Sequence, residues 1–242
     1  LIGENYSSVH VDNYSVSIPV YTSESTTEGV YGSYGRGFNF GGSLGYTFTN
    51  NFSGEISVLY KTGGSFETSY KTTSTYISSG GTSTYIFKET NTIESNMFAF
   101  SPNIIINTEI DNIKPYVRFG LVIGFPSIKV NDEGVATYES SSGDSTEART
   151  KVEEYSGGIA LGFTGGAGAL YPINENLSIF GELSFVNISW APEEGNIGDW
   201  DGTTVTHKYK DTKTSSDQNT ELSEPQPFGS FGINVGIMYY FK

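Results

Sequence analysis

Apolar and polar residues alternate with a period of two along much of this 242-residue chain, a pattern that predicts strands with one greasy face. From Phe231 to Phe241 the odd positions are Phe231, Ile233, Val235, Ile237, Tyr239 and Phe241, while Gly, Asn, Gly, Met and Tyr lie between them. Upstream, Phe38, Phe40, Leu44, Tyr46 and Phe48 share one side of a segment whose other side is Asn39, Gly41, Ser43, Gly45 and Thr47. The same reading holds for 52–61, where Phe52, Ile56, Val58 and Tyr60 oppose Ser53, Glu55, Ser57 and Lys61. It holds again for 97–107, with Phe98, Phe100, Ile104 and Ile106 outward, and for 115–125, with Val117, Phe119, Leu121, Ile123 and Phe125 outward. Strands near 156–170 and 177–190 follow. The first thins to Gly165, Ala167 and Ala169, and the second changes phase near Phe185 and Val186 as a bulge would make it do. A first strand is expected at 10–21, with Tyr14, Val16, Ile18 and Val20 outward.

The connections alternate in length. Those at 49–51, 108–114 and 171–176 are short and rich in Asn, Asp and Pro, the residues of tight turns. Those at about 22–36, 62–95, 127–154 and 191–226 are long and polar. Short turns at one end and long loops at the other are the layout of an antiparallel barrel that crosses a membrane, and keeping the alternation gives eight strands. The expectation is therefore an all-β chain, with 1–242 forming one eight-stranded up-and-down transmembrane β-barrel. Both termini would be periplasmic and the long loops extracellular. Tyr70–Tyr76 and Thr82–Phe87 flank a Ser-Ser-Gly-Gly turn, and 203–210 is rich in Thr and Tyr. These stretches read either as strands continuing above the membrane in a polar sheet or as disordered loop.

Composition narrows the alternatives. Thirty Gly, 17 Tyr and 16 Phe suit strands and turns. Mean hydropathy is −0.28, and no run reaches the ~18 apolar residues of a spanning helix. Without cysteine there is no disulfide framework and no thiolate metal site. A net charge of −14 opposes nucleic-acid binding and direct docking on anionic lipid, unless divalent cations bridge the chain to lipopolysaccharide. No leader opens the chain at Leu1, so a membrane destination implies a processed or trimmed start.

Three charges fall on the inward faces a few residues beyond short turns: Glu55, Arg118 and Glu182. An eight-stranded interior is just wide enough to be filled by side chains, so charges there must pair. Arg118 bridging Glu55 and Glu182 would close the lumen to ions; the alternative is charges that meet only trapped water. The chain holds His10 and His207, and neither has a nucleophile beside it by spacing, so catalysis is not expected and no cofactor is implied. Asn196, Asp199, Asp201 and Gly202 carry oxygen ligands suited to calcium but lack the closing Glu of an EF-hand, and an Asp/Gly turn explains them equally. Gly165, Ala167 and Ala169 leave a shallow lipid-facing patch where an outer-membrane protein partner could approach, unless the strand is out of phase.

Two segments look alike: Asn51-Phe52-Ser53-Gly54-Glu55-Ile56-Ser57-Val58, and Asn176 to Phe185 with its Gly181-Glu182-Leu183-Ser184 core. With the ending Gly236 to Lys242, they resemble the small Gram-negative outer-membrane barrels, the group that includes the membrane domain of OmpA, OmpX and OmpW. The resemblance implies that the terminal row Ile233, Val235, Ile237, Tyr239 and Phe241 is a signal read by the barrel-assembly machinery. It also implies a choice of roles: structural or surface protein, adhesin, accessory subunit of an outer-membrane complex, or narrow porin-like conduit for small or hydrophobic molecules. A soluble β-sandwich adhesin domain is the remaining alternative.

Overall fold

The computed structural model describes residues 20–27, 33–78, 81–214 and 219–241. In chain order their strands are β1 (Val20–Thr27), β2 (Gly37–Thr49), β3 (Phe52–Gly63), β4 (Phe66–Ser78), β5 (Gly81–Asn107), β6 (Lys114–Ser140) and β7 (Ser145–Ser156). Then come β8 (Ala160–Pro172), β9 (Leu177–Trp190), β10 (Glu194–Gly198), β11 (Thr204–Lys210), β12 (Thr220–Leu222), β13 (Gln226–Pro227) and β14 (Ser230–Tyr239).

They form one sheet with two storeys. In the lower storey β2, β3, β5, β6, β8, β9 and β14 pair in that order, each antiparallel to the next, as a curved wall. In the upper storey β1, β4, β5, β6, β7, β10, β11 and β12 pair in turn, antiparallel except for the final parallel pair β11 and β12. The strands β5 and β6, 27 residues each, belong to both. Their lower halves pair β3 and β8, and their upper halves pair β4 and β7.

Fourteen strands stand among the described residues where alternation predicts eight, and the reason is physical. The segments at 62–95, 127–154 and 191–226, read as loops, satisfy their own backbone groups as a polar sheet that needs no apolar face. Within the wall, β2 and β14 each have one neighbour among the described residues, so the described sheet is not closed. The strand expected at 10–21 lies outside those residues except for Val20 and Tyr21, which begin β1 and pair with β4 in the upper storey. The bulge expected near Phe185 is not there either. Strand β9 pairs without a register shift from Leu177 to Ser189 against its neighbours, and Val186, Ile188 and Trp190 continue the inward row. They are apolar because the interior at that height is apolar.

The outward rows form a belt that no described residue covers. On β14 Ile233, Val235 and Ile237 are 75–80% exposed, and Tyr239 and Phe241 project at its lower rim. Phe119, Leu121, Leu161, Phe163, Leu183 and Phe185 continue the belt round the wall. From Pro115 to Phe125 the belt is one strand of lipid-crossing length deep. A contiguous apolar girdle of this extent is stable against lipid and not against water. The turns below it are tight: Ile110 and Ile113 exchange backbone hydrogen bonds of 2.9 and 3.0 Å around Asp111, whose φ of 53° suits a hairpin corner. Above the belt the outward row becomes Ser127, Lys129, Asn131 and Glu133 without any break in β6.

This belt makes a depth-dependent prediction. Val235→Arg, midway along β14, should destabilise the folded protein in lipid vesicles by about 2–4 kcal/mol, and Phe241→Arg at the rim by about 1 kcal/mol or less. Equilibrium urea titrations compare them; equal costs would mean that the row does not meet lipid.

Candidate functional site

The inward rows of the wall build three layers. At the lowest level Ile105, Tyr116 and Leu170 are buried with Phe180 and Met238 against them. Above them lies a polar layer. Arg118 Nη2 donates to Glu182 Oε1 at 2.6 Å and Nη1 to Glu55 Oε1 at 3.3 Å, bringing together the three charges singled out in the sequence.

One guanidinium does not neutralise two carboxylates, and the remaining oxygen capacity goes to neutral donors. Glu182 accepts from Tyr116 Oη at 3.0 Å and Asn234 Nδ2 at 3.2 Å. Glu55 accepts from Ser57 Oγ at 2.8 Å, Ser43 Oγ at 3.0 Å and Asn103 Nδ2 at 3.4 Å. Charges withdrawn from water are held by such donors, while Arg118 Nε is buried without a hydrogen-bond partner among the described residues.

Glycines make the room. A Cβ at Gly166 would stand 2.7 Å from Glu182 Cδ, one at Gly168 would stand 2.8 Å from the Tyr116 ring, and one at Gly120 would meet Asn103 Oδ1 at 2.1 Å. The thin Gly/Ala composition of β8 is thus a cradle on its inner side. On its outer side the Phe185 ring lies where a Gly165 side chain would be, so the shallow patch at Gly165, Ala167 and Ala169 is filled at its upper end by a neighbouring ring.

The third layer is apolar again. Met97, Ala99, Val122, Ile128, Ala160, Ile188, Trp190 and Phe228 form one buried cluster with Ile93. Trp190 and Phe228, 1% and 0% exposed, meet edge to face at 5.8 Å, and Tyr34 stacks on Phe228 at 5.6 Å. Two stretches read as loop supply this plug. Tyr34 N donates to Pro227 O at 3.0 Å, Ser33 Oγ donates to Pro227 O and Gly229 O, and Ser95 Oγ donates to Tyr34 O. Lys61, buried beside it, donates to Ser230 Oγ and ties β3 to β14 across the interior. Tyr34 and Phe228 escape sequence reading because single aromatics in polar stretches carry no period. The one signal was the pair of inward apolar residues Ile188 and Trp190.

A second polar cluster lies on the inner face of the upper storey. Lys151 Nζ sits 2.9 Å from both Asp132 Oδ2 and Glu153 Oε1, and Tyr155 Oη donates to Glu153 Oε2 at 2.6 Å. Burial alone would lower the Lys151 ammonium, but its two hydrogen-bonded carboxylates outweigh that and raise it. With its amide oriented to satisfy both neighbours, Asn91 donates to Glu89 Oε1 and Asp132 Oδ1 at 3.0 Å each. Trp200 stands over this network, 5.3 Å from Lys151 Nζ.

The calcium candidates Asp199 and Asp201 belong to the β10–β11 turn. Asp199 Oδ1 accepts from Trp200 N at 2.7 Å, and Asp201 Oδ1 accepts from Thr203 N and Oγ1 at 2.8 and 2.7 Å. Their oxygens serve the turn, and no group of three or more His, Cys, Asp or Glu among the described residues is placed to hold a metal. His207 lies on β11 with Nδ1 3.8 Å from Glu221 Oε1. His10 lies outside the described residues.

Breaking the lumenal cluster from one side is predicted to cost more than removing it. Arg118→Met leaves two carboxylates facing each other and should destabilise by about 3–5 kcal/mol, whereas adding Glu55→Gln and Glu182→Gln to it should restore most of that loss. Unfolding titrations of the two variants check this; equal stability would mean the three charges do not act as a unit.

A family model described as outer membrane protein beta-barrel domain matches residues 2–241, nearly the whole chain. Neither the curated proteins nor the solved structures compared with it gave a significant match. The lipid-facing belt, the filled interior and this full-length match make one assignment: the chain belongs to the outer-membrane β-barrel domain family, whose members reside in the bacterial outer membrane.

Proposed function

We propose that this protein is a non-conducting, non-enzymatic outer-membrane barrel that acts at the cell surface through its upper storey, as an adhesive or accessory element of an outer-membrane complex. What supports this reading is the packing of the inward rows: apolar, charged and apolar layers succeed one another with interlocking glycines and rings. A conduit for small or hydrophobic molecules needs a continuous cavity, and water-filled barrels need many more strands. The wall closes as an eight-stranded barrel in this reading. Both ends of the chain face the periplasm, and the polar sheet stands outside the cell. The partners are the surrounding lipid, lipopolysaccharide approached through divalent cations, the assembly machinery that reads Ile233 to Phe241, and an outer-membrane protein companion.

Planar-bilayer recordings test the closed lumen. The wild type should give no steady conductance steps. Arg118→Ala alone should also stay closed because the aromatic seal remains, while Arg118→Ala combined with Trp190→Ala and Phe228→Ala should conduct. Stable steps from the wild type would overturn the non-conducting reading.

A further inference from the structure

The β10–β11 turn does not stand free at the edge of the upper storey. It folds back over the sheet, and its Trp200 ring lands on Gly134 of β6, where a Cβ would lie 3.0 Å from the indole. Phe87 of β5 meets the ring edge to face at 6.3 Å, and Lys151 of β7 lies beneath it. Three strands therefore hold one side chain down. Backbone bonds from Asp199 N to Thr203 O (2.8 Å) and from Gly202 N to Asp199 O (3.0 Å) make the turn that carries it rigid.

Beneath and beside the strap, charge is out of balance. Glu89 is the cross-strand partner of Gly134, so it lies next to the seat of the indole. Facing Glu89 are Tyr70 from β4, Asp132 from β6, and Lys151 and Glu153 from β7; Arg149, two residues along β7, is engaged by Glu147 at 2.8 Å. Asn91 clamps the Glu89 and Asp132 carboxylates to a single amide nitrogen. Lys151 is hydrogen-bonded to Asp132 and Glu153 and acts on Glu89 only from a distance, so among the described residues Glu89 has a neutral donor and negative neighbours but no ion pair of its own.

We propose that the Trp200 turn is a proton-linked strap: a proton taken up at Glu89 holds the turn down on β5, β6 and β7, and loss of that proton lets it lift from the inner face of the sheet. The argument is linkage. An indole seated over Gly134, the cross-strand partner of Glu89, keeps water from that side of the carboxylate, and burial, followed by the nearby Asp132 charge and against the pull of Lys151, raises its pKa in the closed form. The closed form thus binds the proton more tightly than the open form, so acid favours closure and closure is lost as pH rises through the raised value. Opening would bare Phe87, Gly134 and the Lys151 network together. The inference concerns the upper storey alone and does not depend on a closed lumen.

Acrylamide quenching of the full-length protein in detergent micelles reads the strap directly, because Trp190, the other tryptophan, is sealed in the plug. The wild-type quenching constant should fall about twofold on going from about pH 8 to about pH 5. Glu89→Gln should stay at the low, acid-like value throughout, with its fold checked by heat-modifiable gel migration. Asp132→Asn, which removes the largest neighbouring charge, should move the transition to lower pH. A wild type whose quenching does not change with pH, a transition that survives Glu89→Gln, or one that Asp132→Asn leaves in place would each overturn the proposal.

Discussion

Hydrocarbon offers no partner to a backbone N–H or C=O, so a chain that crosses it as strands must keep its ladder unbroken through the lipid. Once the ladder is continuous, parity decides everything else: each side chain goes to lipid or to lumen, and a one-residue slip would exchange the two sets. The wall obeys this through long shift-free registers, of which β9 is the clearest. It pairs with β8 and β14 from Leu177 upward while Ile179, Leu183 and Phe185 meet lipid and Ser178, Glu182 and Ser184 look inward. The register shift between Thr47 and Thr49 of β2 sits at the lower turn where water can satisfy the backbone, and where the β5–β6 pairing skips Ser101 and Pro102 in mid-belt, Ser101 Oγ donates to Leu121 O instead.

The inward rows then have to pack into one another. Large side chains on one strand face glycine on the next: Tyr116 over Gly168, Glu182 over Gly166, Asn103 over Gly120, Ile188 over Gly162. This complementarity explains why the polar layer can be charged at all. Arg118, Glu55 and Glu182 are packed from the sides by backbone, so they cannot relax toward bulk water, and each carboxylate is held by three or more donors. Separating them would strand charge in a medium with few alternative partners, which ties the strands of the wall to one another through the interior as well as along the ladder.

Parity is what made the lower storey legible. The rows Phe38 to Phe48, Phe98 to Ile106 and Phe231 to Phe241 announce their strands because lipid demands an unbroken apolar face, and the inward charges announce themselves as exceptions to a small, polar row. The same logic misleads where the interior turns apolar. Val186, Ile188 and Trp190 look like a phase change only if the lumen is assumed polar to its top. The upper storey was harder to read, since a sheet wet on both faces needs no period; its Thr- and Tyr-rich runs could be strand or coil by composition. Long-range partners in either storey, such as Trp200 on Gly134 or Tyr34 on Phe228, arise from tertiary return of the chain and leave no local mark.

Continuity between the storeys has a mechanical consequence. Strands β5 and β6 pass from lipid to solvent without a register break where the belt ends, even though Pro126 stands there: Phe98 and Phe125 are partners, then Met97 and Pro126, then Asn96 and Ser127. The ladder that the membrane forbids to open is the same ladder that carries the surface sheet. A force or ligand acting on β4 or β7 therefore meets a base anchored by the hydrocarbon. Mobility is left to parts that join this ladder at its margin, where hydrogen bonds face water and openings cost little. The β10–β11 turn is such a part, attached through β7 and held down by one indole, and it is there that a small change in charge can be converted into a change of surface.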